Sequence, residues 1–587
     1  MKHYREEYER WLSSAVFDED TKRELQALTD EKEIEDRFYR DLAFGTGGLR
    51  GVLGAGSNRM NAYTVGRASQ GLAAFLRAEG MEGGVVIAYD SRRCSDVFAR
   101  DTACILAANG IRAYLFESLR PTPVLSFAVR YFHAAAGVVI TASHNPPEYN
   151  GYKVYFSDGC QIVPPYDKRI IDHVNAVSYE DVVRISEEEA LSQGLLRMVG
   201  EEVDRAYLDA VKALVLSPEA LEKQAGNLRI VYTPLNGTGN VLVRRVLKEL
   251  GFHNVFVVPE QELPDGAFPT LKTPNPEDPA AFTLALALAK EKDADLVLAT
   301  DPDADRLGVY VRERSGEYRR FTGNMSGILI AEYLLRRKEE LGLLPKNRAD
   351  GAIVTTIVST DMAKALARAY GVTEIETLTG FKYIGEQIAR FEAAKGQNNG
   401  KLDASKGAYE YLFGFEESYG CLTGSYARDK DAVSAAAVLA EAVCYYRSLG
   451  MTLCDAMDDL YARLGYFEEG QKSLAFPGAD GAERMKDRMQ ALRDEPPAAI
   501  GQARVAAVRD YAVGVRRDLR TGEGSALSLP KSNVLYFELE NGGWCCIRPS
   551  GTEPKMKVYF GARGTSPEDA KNTTEGIMRG VAALLQG

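Results

Sequence analysis

The sequence has no CxxC cysteine pair, no long apolar run and no excess of basic residues, and each absence excludes a class of protein. Its eight cysteines are scattered without a CxxC pair, which is typical of a reduced, cytosolic chain. Apolar runs such as 280–289 fall well short of the ~20 residues that cross a bilayer, so we expect no membrane partner. The N-terminal residues are too acidic for a signal or transit peptide.

The net charge of −12 disfavours a nucleic-acid partner, because such proteins neutralise phosphates with lysine and arginine. A small anionic substrate is still compatible with this charge, because a local cluster of cations can override a distant net charge. A chain of 587 residues is also too long for one hydrophobic core. We therefore expect roughly three to five domains.

One pattern occurs three times: an apolar strand, a helix, a glycine and a second strand, as in a right-handed βαβ unit. Its copies lie at 85–116, 228–258 and 352–375. We interpret them as three α/β domains of one design; the alternative is a generic likeness between common units. Residues 1–43 instead have apolar residues at helical spacing, which predicts two or three short amphipathic helices with a capping box at Thr21.

The C-terminal part of the chain has a different pattern. Antiparallel strands are predicted at 534–539, 544–547 and 555–560, with a hairpin turn at Asn541-Gly542 between the first two. A final helix is predicted to begin at Ser566-Pro567. These features indicate a smaller α+β domain. Residues 395–401, upstream of it, are predicted to form an exposed loop.

The stretch Thr141-Ala-Ser-His-Asn-Pro146 follows an apolar strand predicted at 136–140. A polar turn at the end of a buried strand lies where open α/β folds carry their chemistry. Ser143 is therefore a candidate nucleophile, and the alternative is a serine in an ordinary turn. His144 is not expected to be its base, because adjacent residues in an extended loop point apart. A Ser-His-Asp hydrolase is accordingly disfavoured.

Asp301, Asp303 and Asp305 come directly after a second apolar run. In an extended segment these side chains share a face, where three unshielded carboxylates would repel one another and Mg²⁺ would relieve the repulsion. A calcium loop of the EF-hand type is excluded, because its sixth and twelfth positions are Arg306 and Arg312. An aspartyl-phosphate site of the haloacid dehalogenase type would need a Gly-Thr after its Asp-x-Asp, and this sequence has none there. A solvated acidic turn is the remaining alternative.

Two further stretches and three cations complete the set of candidates. Arg548-Pro-Ser-Gly-Thr552 offers the donors of a phosphate cradle, or is a hairpin loop with a chance arginine. Gly414-Phe-Glu-Glu-Ser-Tyr-Gly420 offers acceptors for sugar hydroxyls, or is a polar turn. Arg50, Lys153 and Lys430 are cations near these stretches; such residues are more often ordinary surface groups.

Together these motifs resemble the α-D-phosphohexomutase family of phosphoglucomutases and phosphomannomutases. The Ser143 stretch is similar to its phosphoserine loop, the aspartate stretch to its metal loop, the Glu416 stretch to its sugar loop and the Arg548 stretch to its phosphate-binding loop. All four occur in the family's order, and the resemblance covers nearly the whole chain from Phe44 on. The Glu-Glu-Ser sugar loop and the helical N-terminus resemble the bacterial α-phosphoglucomutase and phosphopentomutase-like subgroup.

The resemblance implies an α/β fold of four domains around a central cleft, with three similar mixed α/β domains and a smaller α+β C-terminal domain. The expected parts are a helical extension at 1–43, domain I with the phosphoserine loop at 44–203, domain II with the metal loop at 204–322, domain III with the sugar loop at 323–462, and domain IV with the phosphate-binding loop at 463–587.

The resemblance also implies a cytoplasmic isomerase that interconverts glucose 1-phosphate and glucose 6-phosphate through a phosphoserine and glucose 1,6-bisphosphate, with one Mg²⁺ per chain. Phosphopentomutase, phosphomannomutase and Mg²⁺-dependent sugar-phosphate phosphatase activities are the alternatives. The implied partners are sugar phosphates, and monomer and dimer are both open.

The residues that the resemblance implies are, for catalysis, Ser143, Arg50, Lys153 and Lys430; for the metal, Ser143, Asp301, Asp303 and Asp305; and for substrate binding, His144, Arg306, Thr379, Gly380, Glu416, Ser418, Arg548, Ser550, Gly551 and Thr552. The choice of general base among Arg50, Lys153 and Lys430 is left open.

Overall fold

The structure, a computed structural model, describes residues 3–44, 47–477, 481–549 and 555–586. The chain divides into two units, the first comprising 1–351 and 381–454 and the second comprising 352–380 and 455–587. None of the helices in the described ranges combines the length and the apolar character needed to cross a membrane.

The helices are α1 (His3–Ser13), α2 (Glu19–Gln26), α3 (Glu31–Phe38), α4 (Ala62–Ala78), α5 (Ser95–Ala108), α6 (Thr122–Tyr131), α7 (Tyr166–Ala176), α8 (Glu187–Ser192), α9 (Glu201–Lys212), α10 (Pro218–Gln224), α11 (Gly239–Glu249), α12 (Pro259–Glu262), α13 (Thr283–Lys292), α14 (Gly323–Glu340), α15 (Met362–Tyr370), α16 (Phe381–Gln397), α17 (Ala432–Ser448), α18 (Leu453–Leu464), α19 (Gly481–Asp494) and α20 (Pro567–Gln586).

The strands are β1 (Gly48–Val52), β2 (Val85–Tyr89), β3 (Ala113–Phe116), β4 (Ala136–Ile140), β5 (Tyr149–Phe156), β6 (Leu196–Val199), β7 (Arg229–Thr233), β8 (Asn254–Val257), β9 (Leu296–Thr300), β10 (Leu307–Arg312), β11 (Tyr318–Phe321), β12 (Gly351–Thr356), β13 (Thr373–Thr377), β14 (Glu410–Glu416), β15 (Gly420–Leu422), β16 (Tyr466–Ala475), β17 (Ala499–Ile500), β18 (Ala503–Asp510), β19 (Val515–Asp518), β20 (Gly524–Ala526), β21 (Leu535–Leu539), β22 (Trp544–Pro549) and β23 (Lys555–Gly564).

The first sheet of the first unit has the strand order β1-β5-β4-β2-β3-β6. β2 pairs in parallel with β3 and β4, whereas β5 runs antiparallel to β4 and β1. β2, β3 and β4 are buried along their whole length, as expected for apolar parallel strands that are covered on both faces. The β4–β5 connection, residues 141–148, therefore begins at the carboxyl end of a rigid, buried strand.

The second sheet of this unit, β11-β10-β9-β7-β8, repeats the same arrangement. β9 pairs in parallel with β7 and antiparallel with β10, so that Thr300 lies opposite Leu307. The β9–β10 connection, residues 301–306, leaves its sheet as the β4–β5 connection leaves the first sheet. Further along the same unit, β14 and β15 form an antiparallel hairpin.

The N-terminal helices α1, α2 and α3 enclose an aromatic core. Trp11 is fully buried and stacks on Phe17 with ring centroids 4.0 Å apart. The expectation of two or three short helices is confirmed, but the capping box at Thr21 was wrong. Asp18 caps α2 instead, since its carboxylate accepts a hydrogen bond from the backbone N–H of Thr21 at 2.7 Å. The helix is capped three residues earlier than predicted, at a carboxylate that accepts from a backbone N–H of its first turn.

The second unit combines a βαβ element with an antiparallel sheet. β12 and β13 pair in parallel around α15. The sheet has the order β16-β23-β22-β21-β18-β19-β20, with β17 paired to β18, and its pairings are antiparallel. Its buried face packs against side chains of α19 and α20, including Met489 and Ile577.

The three predicted βαβ units are confirmed as β2-α5-β3, β7-α11-β8 and β12-α15-β13, each with a parallel strand pair. The predicted C-terminal strands and the helix that starts after Ser566 are also confirmed. The loop predicted at 395–401 was wrong in its first part, because α16 continues to Gln397.

Candidate active site

Ser143 lies in the β4–β5 connection with its side chain directed to the aspartate stretch of the second sheet. Its Oγ donates a hydrogen bond to Asp301 Oδ2 at 2.8 Å, and the residue is only 3% exposed. The backbone N–H of Ser143 donates to Thr141 Oγ1 at 2.8 Å. Two loops that are 158 residues apart in the chain thus meet at one buried point.

His144 corrects one expectation from the sequence. Its Nδ1 lies 3.1 Å from Ser143 Oγ, although neighbours in an extended loop were expected to point apart. The expectation was wrong because Ser143 adopts a left-handed backbone conformation, with φ of 52°, and the alternation of side chains holds only for extended backbone.

The three aspartates are buried and converge, each offering a carboxylate oxygen within 4.8 Å of the others. The segment is a turn rather than the expected extended strand, because Ala304 has a φ of 50°. Asp301 Oδ1 accepts hydrogen bonds from the backbone N–H groups of Asp305 and Arg306, at 3.1 and 3.0 Å. The turn, rather than period-two alternation, brings the carboxylates together.

The chemistry of this donor set fits a hard metal ion. Asp303 Oδ1 and Asp305 Oδ1 are buried, and within the described part of the chain neither accepts a hydrogen bond. Burial, followed by the charges of Asp303 and Asp305, raises the pKa of Asp301 well above its ordinary value. Buried carboxylate oxygens that accept no hydrogen bond are costly unless a cation compensates them, and oxygen-only ligands suit Mg²⁺. The triad can therefore hold a metal ion.

Two partly buried ammonium groups contact the same carboxylates. Lys153 Nζ lies 2.8 Å from Asp303 Oδ2, and Lys430 Nζ lies 3.0 Å from Asp305 Oδ2. Burial lowers the pKa of each lysine, but the neighbouring carboxylates outweigh it and the net shift is upward. For Asp303 the two effects have the opposite signs: burial raises the pKa of this carboxyl, but Lys153 reverses the shift, and the pKa lies far below its ordinary value.

The remaining predicted residues of the first unit lie at varied distances from the triad. Glu416 ends β14, is 4% exposed and lies 4.0 Å from Lys430 Nζ. Ser418 lies in the turn that follows. Arg306 pairs with Glu277, and its Nε is 3.8 Å from Asp305 Oδ1.

Arg50 is on β1, opposite Gly151 of β5. Its exposed guanidinium donates to Asn145 Oδ1 at 3.4 Å. It thus contacts the Ser143 loop rather than the aspartates.

The predicted substrate-binding residues of the second unit lie at two strand ends. Thr379 and Gly380 follow β13, and Gly380 has a φ of 119°, which favours glycine. Arg548 is near the end of β22, opposite Lys557. Ser550, Gly551 and Thr552 lie outside the described residues.

Sequence reasoning missed three polar residues that contact this site. Thr122 donates from its hydroxyl to Asp303 Oδ2 and from its backbone N–H to Asp303 O, both at 2.9 Å. Tyr155 donates to Asp429 Oδ2 at 2.6 Å, and Asp429 Oδ1 lies 3.3 Å from Lys430 Nζ. Tyr155 could have been found, since it is two residues from Lys153 on β5 and shares its face. Nothing in the sequence pairs Thr122 with a residue so distant.

Four family models match successive parts of the chain. They are described as phosphoglucomutase/phosphomannomutase alpha/beta/alpha domain I, domain II and domain III and the C-terminal domain, and they match residues 41–181, 205–316, 322–464 and 492–578, respectively.

Curated proteins are similar over most of the chain. A phosphoglucomutase of Staphylococcus saprophyticus is 36% identical over 551 residues, which covers 94% of this chain and 95% of that protein. A Haemophilus influenzae protein named "Probable phosphomannomutase" is 38% identical over 534 residues, covering 90% and 98%.

Two solved structures have a similar fold. One is the open form of parafusin, a phosphoglucomutase from Paramecium, with a TM-score of 0.67 and 16% identity, covering 93% of this chain and 96% of that one. The other is a phosphoglucomutase/phosphomannomutase family protein from Burkholderia thailandensis, with a TM-score of 0.63 and 20% identity, covering 93% and 98%.

Proposed function

The chain belongs to the phosphoglucomutase/phosphomannomutase family and is a phosphosugar mutase, and we propose that it interconverts glucose 1-phosphate and glucose 6-phosphate. The reaction would proceed through a phosphoserine at Ser143 and a bound glucose 1,6-bisphosphate. The observation that carries this proposal is the 2.8 Å contact between Ser143 Oγ and Asp301 Oδ2. Glucose as the sugar is supported by the phosphoglucomutase names of several relatives.

Ser143, Asp301, Asp303 and Asp305 would together hold one Mg²⁺ per chain. Bound there, the ion would neutralise charge on the transferring phosphoryl group. The chain's own contribution is to fix the nucleophile beside the carboxylates and to exclude water, since the triad is at most 2% exposed.

Lys153 and Lys430 would bind the phosphoryl oxygens through their ammonium groups. Both ammonium groups lie within 3.0 Å of the aspartates, one of which contacts the Ser143 hydroxyl, so they are close to the position of the phosphoryl group. We assign proton transfer at the sugar hydroxyl to one of Lys153, Lys430 and Arg50. The choice among the three is left open, because a guanidinium stays protonated in proteins and the raised pKa of each lysine keeps its ammonium group protonated as well.

The remaining predicted residues are proposed to bind the rest of the substrate. The residues proposed to bind the sugar ring and the reacting end of the substrate are Glu416, Ser418, His144 and Arg306. The residues of the second unit proposed to bind the substrate, including its non-reacting phosphate, are Thr379, Gly380, Arg548, Ser550, Gly551 and Thr552.

The divisions expected at 43/44, 203/204, 322/323 and 462/463 are proposed as the domain boundaries. A cytoplasmic location is supported by eight free thiols.

The assay supplies glucose 1-phosphate with Mg²⁺ and a trace of glucose 1,6-bisphosphate and measures glucose 6-phosphate. Ser143→Ala should lose at least ~10³-fold in kcat, because the covalent route has no other nucleophile. Ser69→Ala is the matched control: Ser69 is buried in α4, where it bonds Val65 O and Thr102, and this variant should retain activity.

The same assay separates the alternatives. Mannose 1-phosphate and ribose 1-phosphate are compared as substrates, and a higher kcat/KM for either would replace glucose as the preferred sugar. Release of inorganic phosphate at a rate similar to isomerisation would indicate a phosphatase. Turnover of Ser143→Ala within tenfold of the unaltered chain would contradict the role of Ser143.

A further inference from the structure

Four backbone carbonyl groups, three from the Ser143 loop (residues 141–148) and one from Tyr149 at the start of β5, converge on one guanidinium, that of Arg92. The loop is irregular, and Pro146 and Pro147 supply no backbone N–H. Nη2 of Arg92 donates to Ser143 O at 2.6 Å and to Asn145 O, and Nη1 donates to Pro146 O at 2.8 Å and Tyr149 O at 3.0 Å. A buried carbonyl without a donor costs ~1–3 kcal/mol, and Arg92 supplies donors to all four of these carbonyls. Pro146 O also accepts from the backbone N–H of Tyr149 at 3.1 Å.

Ser143 is held in an unfavourable backbone conformation by these contacts. Its φ of 52° is left-handed, which costs a residue other than glycine about 1–2 kcal/mol. Thr141 Oγ1 accepts from the N–H of Ser143, while Arg92 donates to its carbonyl oxygen. Both polar groups of the residue are therefore fixed by side chains, and this conformation aims Oγ at Asp301.

Arg92 is itself held in place from two sides. Its side chain is fully buried, with Nε 3.4 Å from Asp90 Oδ2. The ring of Phe268, from the segment before α13, lies 5.1 Å from the guanidinium carbon. The backbone N–H of Arg92 donates to Asp90 Oδ1 at 2.9 Å. The guanidinium thus has little freedom to leave the loop.

All four terminal N–H groups of Arg92 are used by the carbonyls of the loop and of Tyr149, which follows it. A guanidinium that binds a substrate phosphate must instead present its paired N–H groups to the anion. The arrangement at Arg92 therefore serves the loop and not the ligand. A lysine in its place has three donors that radiate from one nitrogen, and it cannot reproduce the planar fork that reaches four separated carbonyls.

We propose that Arg92 is the positioning residue of the nucleophile: it clamps the Ser143 loop by its carbonyls and keeps Ser143 Oγ directed to Asp301. This inference rests on the proposed function for its catalytic consequence, but the clamp itself does not. Because displacement of a reacting group by about 1 Å can cost ~10²-fold in rate, loss of the clamp is expected to lower kcat more than it raises KM.

The test compares Arg92→Lys with the unaltered chain by two measurements. The first is hydrogen exchange of the loop amides, among which those of Ser143, Asn145 and Tyr149 are hydrogen-bonded; we expect at least ~10-fold faster exchange there, with other segments unchanged. The second is steady-state kinetics; we expect kcat to fall by ~10²-fold and KM for glucose 1-phosphate to stay within about threefold.

Arg59→Lys is the matched control. Arg59 is also buried and donates to the carbonyl oxygens of Asp36 and Asn58, but it lies outside the Ser143 loop. This variant should leave loop exchange and kcat unchanged even where it lowers thermal stability. An equal loss of kcat in Arg59→Lys would show a general effect of removing a buried guanidinium and would overturn the proposal.

Unchanged loop exchange in folded Arg92→Lys would also overturn the clamp. If this variant does not fold, Phe268→Leu replaces it, since the guanidinium is kept while the ring over it is removed; faster loop exchange supports the clamp, and unchanged exchange overturns it. If the unaltered chain shows no mutase turnover, the proposed function fails, while the exchange measurement still decides whether Arg92 holds the loop.

Discussion

At the scale of single residues, the charges of the candidate site are only partly balanced. Three buried carboxylates face the ammonium groups of Lys153 and Lys430, and two carboxylate oxygens accept no hydrogen bond within the described ranges. The raised pKa of Asp301 means that a proton at this carboxyl relieves part of the repulsion. A metal ion would replace that proton and compensate the remaining charge.

Removal of the Asp301 charge should separate stability from metal binding. Asp301→Asn keeps an oxygen that can accept the two backbone N–H groups of the turn, but it ends the repulsion. Without metal we expect its melting temperature to equal or exceed that of the unaltered chain. The unaltered chain should gain about 2.7 kcal/mol when Mg²⁺ is present at 100 times its Kd, and the variant should lose most of this gain.

Thermal unfolding with EDTA and with MgCl₂ measures both effects. Asp172→Asn, at an exposed position of α7, is the control and should respond to Mg²⁺ like the unaltered chain. An Asp301→Asn protein that Mg²⁺ stabilises as strongly as the unaltered chain would contradict a metal site at the triad.

Individual site residues could be predicted where a motif identifies them. Ser143, the three aspartates and Lys430 were named from the sequence, and the structure brings them together. The positions of His144 and Arg92 could not be predicted, because both depend on one left-handed residue and on contacts between segments that are distant in the chain.

At the scale of secondary-structure elements, β13 contains a carboxyl group with an altered pKa. Burial, partly offset by the hydroxyl of Thr355 and reinforced by Glu376, raises the pKa of Glu374 from 4.5 to about 7. The folded protein therefore binds this proton more tightly than the unfolded chain. The associated stability is fully present below pH ~4.5 and is lost as the pH rises through about 7.

Glu374→Gln should remove this pH dependence. The free energy of unfolding of the unaltered chain is expected to fall by on the order of 3 kcal/mol between pH 5 and pH 8 from this group. The variant lacks the titrating proton, so it should be the more stable protein at pH 8. Calorimetric unfolding of the second unit across this range measures the difference. Glu523→Gln, at an exposed position, should follow the unaltered chain; a Glu374→Gln profile with the same slope would contradict the assignment.

The elements themselves were largely predictable, because buried parallel strands form continuous apolar runs and glycine commonly ends the helix between them. This explains the success at β2-α5-β3 and its two counterparts. The ends of helices were less predictable: the start of α2 depends on which of two acidic or hydroxyl residues caps it, and α16 continues through Gly396 to Gln397, although a glycine often ends a helix.

At the scale of the whole molecule, the proposed reaction predicts a covalent change in the resting protein. The purified chain should contain one phosphate per molecule, on the peptide that includes Ser143, because a phosphoserine is the form that starts each cycle. Intact mass before and after phosphatase treatment, followed by peptide mapping, measures it. Ser143→Ala should contain none, and a phosphate that maps to another peptide would contradict the proposed cycle.

The four-domain α/β fold was predictable because four motifs occur in one order, and each family model covers one of them. The contact between the Ser143 and Asp301 loops was expected from the family resemblance, which implies a phosphoserine at Ser143, and from charge, since a phosphoserine beside carboxylates needs a shared cation. The hydrogen bonds of Thr122 to Asp303 were not expected. They join the start of α6, which packs on the first sheet, to the β9–β10 connection of the second sheet.

The β4–β5 and β9–β10 connections occupy corresponding places in two sheets, yet the first contains the proposed nucleophile and the second the carboxylates that could hold a metal ion. Neither connection alone could carry out the proposed reaction, so the two stretches cannot evolve independently. A chimera that exchanges one half with a relative would inherit a working centre only if Thr122 and Asp303, or an equivalent pair, still matched across the joint. Sequence drift in this family should therefore be correlated between these two stretches, however far apart they are in the gene.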